Sequence, residues 1–266
     1  MIIRKTPEEI DQIAAAGRIL ARCHRLLRAK ARPGITTGEL DEAAEKFIRS
    51  QGAEPSFKGY RGFPGSTCLS PNSMVVHGIP GGYELSRGDI LSVDIGVTLD
   101  GWVADAAVTL PIGNVTPVAG RLLASTRAAL FDAMEQCRPG GRLGDVSHAV
   151  QARVEGDGFS VIRSLVGHGV GRDMHEDPQI PNYGEPGTGP ELHEGMVFAV
   201  EPMVNAGEPG VRMGSDNWAV YSQDGSLTAH FEHTVAITAD GPRILTPWHL
   251  EEGFEQPQVE QSAAPA

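Results

Sequence analysis

Apolar and polar positions along this chain follow two periods, one helical and one extended. Thr6, Pro7 and Glu9 stand where a capping box with proline in the first turn starts a helix, predicted to run to about Lys30. After Arg32-Pro33-Gly34, Thr36 and Glu39 repeat the capping-box spacing. Leu40, Ala43, Ala44, Phe47 and Ile48 then recur at i, i+3, i+4 intervals, which predicts a second helix stopping at Gly52. Farther on, Ile90 to Val93 is a short apolar run that reads as a buried strand, and it ends in a carboxylate, Asp94.

The same grammar returns in the second half. Arg138-Pro139-Gly140 followed by Gly144-Asp145 matches Arg32-Pro33-Gly34 followed by Gly38-Glu39 in spacing, with a helix before and a helix after. Arg87-Gly88-Asp89-Ile90-Leu91-Ser92-Val93-Asp94 is echoed by Glu194-Gly195-Met196-Val197-Phe198-Ala199-Val200-Glu201. Two similar halves predict a pseudo-symmetric α+β domain with a site between them, each half supplying an acid from the end of a buried strand.

Asp100-Gly101 suits a two-residue hairpin loop between Val93–Val97 and Val103–Val108. That loop pairs Leu99 with Trp102 and Gly96 with Asp105, so Asp94 and Asp105 become diagonal neighbours on one face. Such positions lie roughly 7–8 Å apart at Cα. A lone Asp beside a turn is usually a solvated turn residue, but two carboxylates among apolar neighbours repel each other, and a metal ion is the natural compensating charge.

Composition narrows the setting. The chain has 266 residues, 40% of them hydrophobic, enough for a sizeable core. Met1 to Ile10 lack the apolar core of a signal peptide, and no run approaches the roughly 18 apolar residues of a membrane span, so a cytoplasmic protein is expected. Cys23, Cys68 and Cys137 are widely separated, which indicates neither a disulfide framework nor a zinc knuckle. A net charge of −12 argues against broad nucleic-acid binding. Arg18, Arg22 and Arg25 nevertheless fall on one side of the first helix, either a solvated face or a contact to ribosomal RNA.

Candidate nitrogen ligands lie in the Gly-rich stretch Gly167-His168-Gly169-Val170-Gly171-Arg172-Asp173-Met174-His175, and further acids in Glu201-Pro202 and Phe231-Glu232-His233. Imidazole with carboxylate suits Mn, Fe, Co or Zn. Taken together, His77-Gly78-Ile79-Pro80, Val93-Asp94-Ile95-Gly96, Gly167-His168-Gly169-Val170-Gly171, Val200-Glu201-Pro202-Met203 and Glu232-His233-Thr234 occur in the order and approximate spacing of the type I methionine aminopeptidases. From about Ile3 to Leu245 the chain resembles that family.

The resemblance implies the pita-bread (creatinase/aminopeptidase) fold, an α+β domain of two pseudo-symmetric halves with antiparallel sheet and flanking helices. One catalytic domain is expected over 1–250, with halves of about 1–115 and 116–250. A disordered tail, rich in Glu, Gln, Pro and Ala, is expected over 251–266. The resemblance further implies two divalent ions, Asp105 and Glu232 bridging them, Asp94 on one, His168 and Glu201 on the other. Glu201 would shuttle the proton, His175 would hydrogen-bond the carbonyl or oxyanion, and His77 would contact the scissile amide. Phe57, Tyr60, Phe63, Cys68, Met174 and Trp218 match the pocket for a methionine side chain. Phe57 and Met174 depart from the family, in which those positions align with a cysteine and an aromatic residue, so the shape of the pocket is the least defined part of the site.

The implied activity is removal of the initiator methionine from nascent N-termini when the next residue is small, by a monomer without membrane or specific DNA partners. Two alternatives remain at this stage: a proline-directed aminopeptidase of the same fold, whose known members usually carry an additional N-terminal domain, and a non-catalytic ribosome-associated binding protein.

Overall fold

The computed structural model describes residues 1–251 and 254. The first half holds helices α1 (Pro7–Lys30) and α2 (Thr37–Ser50) and strands β1 (Glu54–Pro55), β2 (Cys68–Pro71), β3 (Met74–Val76), β4 (Ile90–Leu99) and β5 (Trp102–Pro111). The second holds α3 (Pro117–Glu135), α4 (Leu143–Gly156), β6 (Ser160–Val161), β7 (Val166–Gly169), β8 (Glu176–Pro181), β9 (Val197–Val200), β10 (Met203–Asn205), β11 (Val211–Met213), β12 (Val220–Ser222), β13 (Thr228–His230), β14 (His233–Thr238) and β15 (Gly241–Ile244).

Both capping boxes form as the spacing requires. Glu9 N–H donates to Thr6 Oγ1 while Thr6 N–H donates to the Glu9 carboxylate, and Thr36 with Glu39 does the same. The helices cover antiparallel sheets. In the first half β4 pairs with β5 on one side and with β1 and β2 on the other. In the second the order is β15-β14-β9-β7-β8, and two smaller sheets, β13-β10-β6 and β11-β12-β3, complete the set. The last of these mixes strands of both halves. One continuous apolar core joins α1 residues such as Ile13, Leu20 and Leu27 to Val93, Ile95 and Val108 of the first sheet and Phe198 and Val235 of the second.

The repeat seen in the sequence is a repeat of hydrogen bonds. Gly34 N–H donates to Leu85 O (2.8 Å) and Gly140 N–H to Leu192 O (2.9 Å); Leu85 N–H returns to Ile35 O and Leu192 N–H to Gly141 O, both at 2.9 Å. Gly34, Gly140, Gly88 and Gly195 all carry left-handed φ values, which is why glycine recurs at those places. The halves are then laced together along β5: Glu232 N–H donates to Ala107 O at 2.8 Å, and His230 N–H to Thr109 Oγ1 at 2.9 Å.

Of the expected tail, residues 252–253 and 255–266 lie outside the described residues. Glu251 ion-pairs with Arg25 at 3.1 Å, and the buried Phe254 ring lies against Trp248. Among the described residues, no helix is long and apolar enough to cross a membrane.

Candidate active site

Hairpin arithmetic places the first pair of acids. Leu99 pairs with Trp102 and Gly96 with Asp105, while Asp100 and Gly101 both take positive φ, the conformation a two-residue type I′ loop demands. Asp94 and Asp105 therefore share a face. In the second half Val200 pairs with His233, so Glu201 and Glu232 stand side by side just beyond the ladder. Thr234 brings the two pairs into register: its hydroxyl accepts from Asp105 N–H at 3.0 Å and donates to Asp105 O at 2.7 Å.

The four acids and His168 converge on a cavity of ≈ 170 Å³. His168 Nε2 lies 3.8 Å from Asp105 Oδ2 and 3.6 Å from Glu201 Oε1. Phe57, Phe63, Cys68 and Trp218 supply apolar lining, with Phe63 and Trp218 edge to face, and Tyr60, His77 and His175 complete it. Met174 stands off this lining. It is buried, and its Cε and Phe57 Cε1 crowd the space over Gly96 so closely that a Cβ there would meet each at 2.8 Å. Of the residues implied by the resemblance, the structure thus brings all but Met174 to one cavity.

Burial sets the electrostatics. Asp94, Glu201 and Glu232 are each held well above the usual carboxylate range, first by loss of solvent and then by repulsion from neighbouring acids, and burial raises Asp105 to about 7. Asp94 Oδ1, Asp105 Oδ1 and Glu232 Oε1 are buried with no hydrogen-bond partner among the described residues. A cation is what such a group lacks, and a hard or borderline divalent ion fits four carboxylates and an imidazole. Asp105, His168 and Glu232 offer ligand atoms that all lie within 4.8 Å of one another.

The histidines are prepared as neutral groups. Burial lowers the pKa of His168, and its Nδ1–H donates to Gly169 O at 2.9 Å, leaving the Nε2 lone pair free on the side of the acids. His175 is lowered to about 4, by desolvation first and then by His168, Arg61 and His77. Its Nδ1 is 2.9 Å from the Tyr60 hydroxyl; when that hydroxyl donates, the remaining proton of the neutral ring sits on Nε2, making it a donor. His77, at φ 59, has its pKa lowered by desolvation.

Two residues escaped the sequence reading. Buried His230 places Nε2 3.6 Å from Glu201 Oε2 and 3.9 Å from Glu232 Oε2, and neither ring nitrogen has a hydrogen-bond partner among the described residues. The signal was present: His230 and Glu232 are two apart in an extended segment, hence on one face. Arg61, which also lines the cavity, lies in an irregular turn with no periodicity to mark it.

The chain matches the metallopeptidase family M24 over residues 11–239. It is 54% identical over 246 residues to methionine aminopeptidase 1 of Bacillus subtilis, covering 92% of this chain and 99% of that one. The crystal structure of methionine aminopeptidase from Thermotoga maritima superposes with a TM-score of 0.91 at 46% identity, covering 92% of this chain and 99% of the other. A prolidase from Pyrococcus furiosus shares the fold alone, with a TM-score of 0.74 at 24% identity, and this chain covers only 65% of it. The pita-bread architecture is therefore the observed one, and the chain belongs to metallopeptidase family M24, among its methionine aminopeptidases.

Proposed function

We propose that the protein removes methionine from polypeptide N-termini whose second residue is small, with two divalent ions held between Asp94, Asp105, His168, Glu201 and Glu232. The observation that carries this reading is the convergence of four carboxylates, Asp105 and Glu232 buried and Asp94 and Glu201 half-buried, three with orphaned oxygens, on one cavity that also has an apolar wall. Asp105 and Glu232 stand at the junction of the halves and would hold both ions; Asp94 would complete one site, His168 and Glu201 the other. Two divalent ions, when bound, supply Lewis acidity to the scissile carbonyl and acidify the attacking water.

The remaining steps belong to side chains. Glu201, whose proton affinity is raised by burial and by Asp105, takes the proton of the attacking water and returns it to the leaving amine. His175 donates from Nε2 to the developing oxyanion, with Tyr60 fixing its tautomer. His77 contacts the scissile amide. The methionine side chain packs against Phe57, Tyr60, Phe63, Cys68 and Trp218, an aromatic-rich wall suited to a thioether, while Met174 and Phe57 together crowd Gly96. The protein acts as a cytoplasmic monomer. Ribosome docking through Arg18, Arg22 and Arg25 fits their exposure, although Arg22 already donates to Gln51 and Arg25 pairs with Glu251.

Hydrolysis of Met-Ala-Ser and Ala-Pro-Ser by chelator-stripped protein, with and without Co(II) or Mn(II), tests the reading. Release of free methionine only with metal is expected. Cleavage of the Ala-Pro peptide instead would reassign the protein to proline-directed chemistry, and cleavage of neither would make it a binding protein.

A further inference from the structure

His175 sits on a short turn that a buried ion pair closes from outside the cavity. The turn begins at Gly171 and ends at Glu176, the first residue of β8. Glu176 Oε1 accepts from Arg172 N–H at 2.9 Å and from Asp173 N–H at 3.4 Å, so one carboxylate oxygen gathers the turn's amides. Its other oxygen accepts from Lys5 Nζ at 2.5 Å. Both partners are almost sealed from water, with side chains 2% and 5% exposed. A pair this buried constrains geometry strongly, because either charge left alone would be desolvated without compensation.

Lys5 is itself fixed. Its N–H donates to Gly195 O at 2.7 Å, immediately before β9, the strand that leads to Glu201. A Cβ on Gly171 would lie 2.5 Å from Glu176 Oε1 and 2.6 Å from Lys5 Cε, so glycine is what lets the turn close over the pair. On the opposite side, Val103 N–H donates to Gly171 O at 2.9 Å and the Arg172 guanidinium lies 3.9 Å over the Trp102 ring. The turn is thus braced between the N-terminal segment and the β4–β5 hairpin, and His175 precedes the braced carboxylate by one residue.

We infer that Lys5 and Glu176 are positioning residues for catalysis: the ion pair sets the placement of the His175 imidazole. This rests on the reading of His175 as the oxyanion donor. A donor displaced by about an ångström loses much of its transition-state stabilisation, so a fall in kcat on the order of 10–100-fold is expected with little change in KM.

The test is a double-mutant cycle on metal-loaded protein, with Met-Ala-Ser as substrate. Lys5→Met and His175→Ala are made singly and together, and Mn(II) affinity is measured by calorimetry for each. Glu176→Gln, which keeps an oxygen for the turn amides, serves as the second variant should Lys5→Met fold poorly. The expected result is a kcat loss in Lys5→Met or Glu176→Gln, unchanged Mn(II) affinity, and no additional loss when the change is placed in the His175→Ala background. An equal loss in that background, weakened Mn(II) binding, or undiminished kcat would overturn the positioning role. Full activity of His175→Ala alone would instead sink the assignment of His175, which separates the two failures.

Discussion

In the first half both acids stand inside long strands, Asp94 and Asp105 on two ten-residue partners; in the second, Glu201 and Glu232 stand one residue outside strands of four and six residues. The difference follows side-chain length. A carboxylate within a continuous ladder is already aimed at the cavity and needs only the short Asp stem, whereas one beyond the ladder's end needs the extra methylene of Glu. The halves also divide the chemistry. Nitrogens within 4 Å of the acids, on His168 and His230, come from the second half, while the first half adds His77 to the cavity wall. The backings differ as well: the carbonyl of Ala106, next to Asp105, accepts from His24 Nε2–H at 3.0 Å, whereas the carbonyl of Glu232 accepts from the non-titrating Trp248 indole at 2.9 Å.

The strongest test of a site shared between halves removes one acid from each, Asp105 or Glu232. Asp105→Ala and Glu232→Ala should each lower activity by more than about 10³-fold, since the charge stabilisation of two-metal hydrolysis is lost whichever half is cut. Elemental analysis should find fewer than two ions per chain; full activity of either variant in metal-replete buffer would break the symmetry argument. His175→Ala should keep its metals and lose kcat by about 10²–10³-fold, as removal of one oxyanion donor does. Loss of metal on that substitution would instead make His175 a ligand.

The backing of the first half should respond to acid. Burial lowers His24 from 6.5 to about 4, so the unfolded chain takes up a proton near pH 6.5 while the folded ring stays neutral down to about 4. Stability from this group is present above pH 6.5 and lost as pH falls toward 4, on the order of 3 kcal/mol in all. Denaturant unfolding of wild type against His24→Gln should show that difference in slope, and parallel pH profiles would refute it. The smallest effect is reserved for side-chain reach. Glu232→Asp, which withdraws a carboxylate by one methylene, should weaken Mn(II) binding by roughly 10-fold, within the range for altered metal-site support. Undiminished affinity in calorimetry would show that position, not length, governs the second half.

Much of this was legible in advance because it is local or periodic. The Asp94–Asp105 register followed from one dipeptide, Asp100-Gly101, since a two-residue loop leaves no freedom in pairing. The repeat was legible because the turns at Gly34 and Gly140 and the strand starts at Gly88 and Gly195 need left-handed backbone in both halves. His230 is marked only by its two-residue offset to Glu232, a spacing that by itself does not separate a histidine at the site from buried ones such as His24 and His233. The resemblance implies a pocket role for Met174, and only packing shows that its Cε and the Phe57 ring both crowd Gly96.

What the sequence by itself determined is the set of elements, the duplicated plan and the identity of the acids and imidazoles, because helix caps, turn dipeptides and strand periods act over a few residues. The tertiary structure decided which of them meet. Thr234 clamping Asp105, His24 reaching Ala106 and Lys5 sealed against Glu176 join residues 129, 82 and 171 positions apart. No local propensity encodes such partners; they exist because folding removes water from both groups at once and makes each a compensating partner for the other.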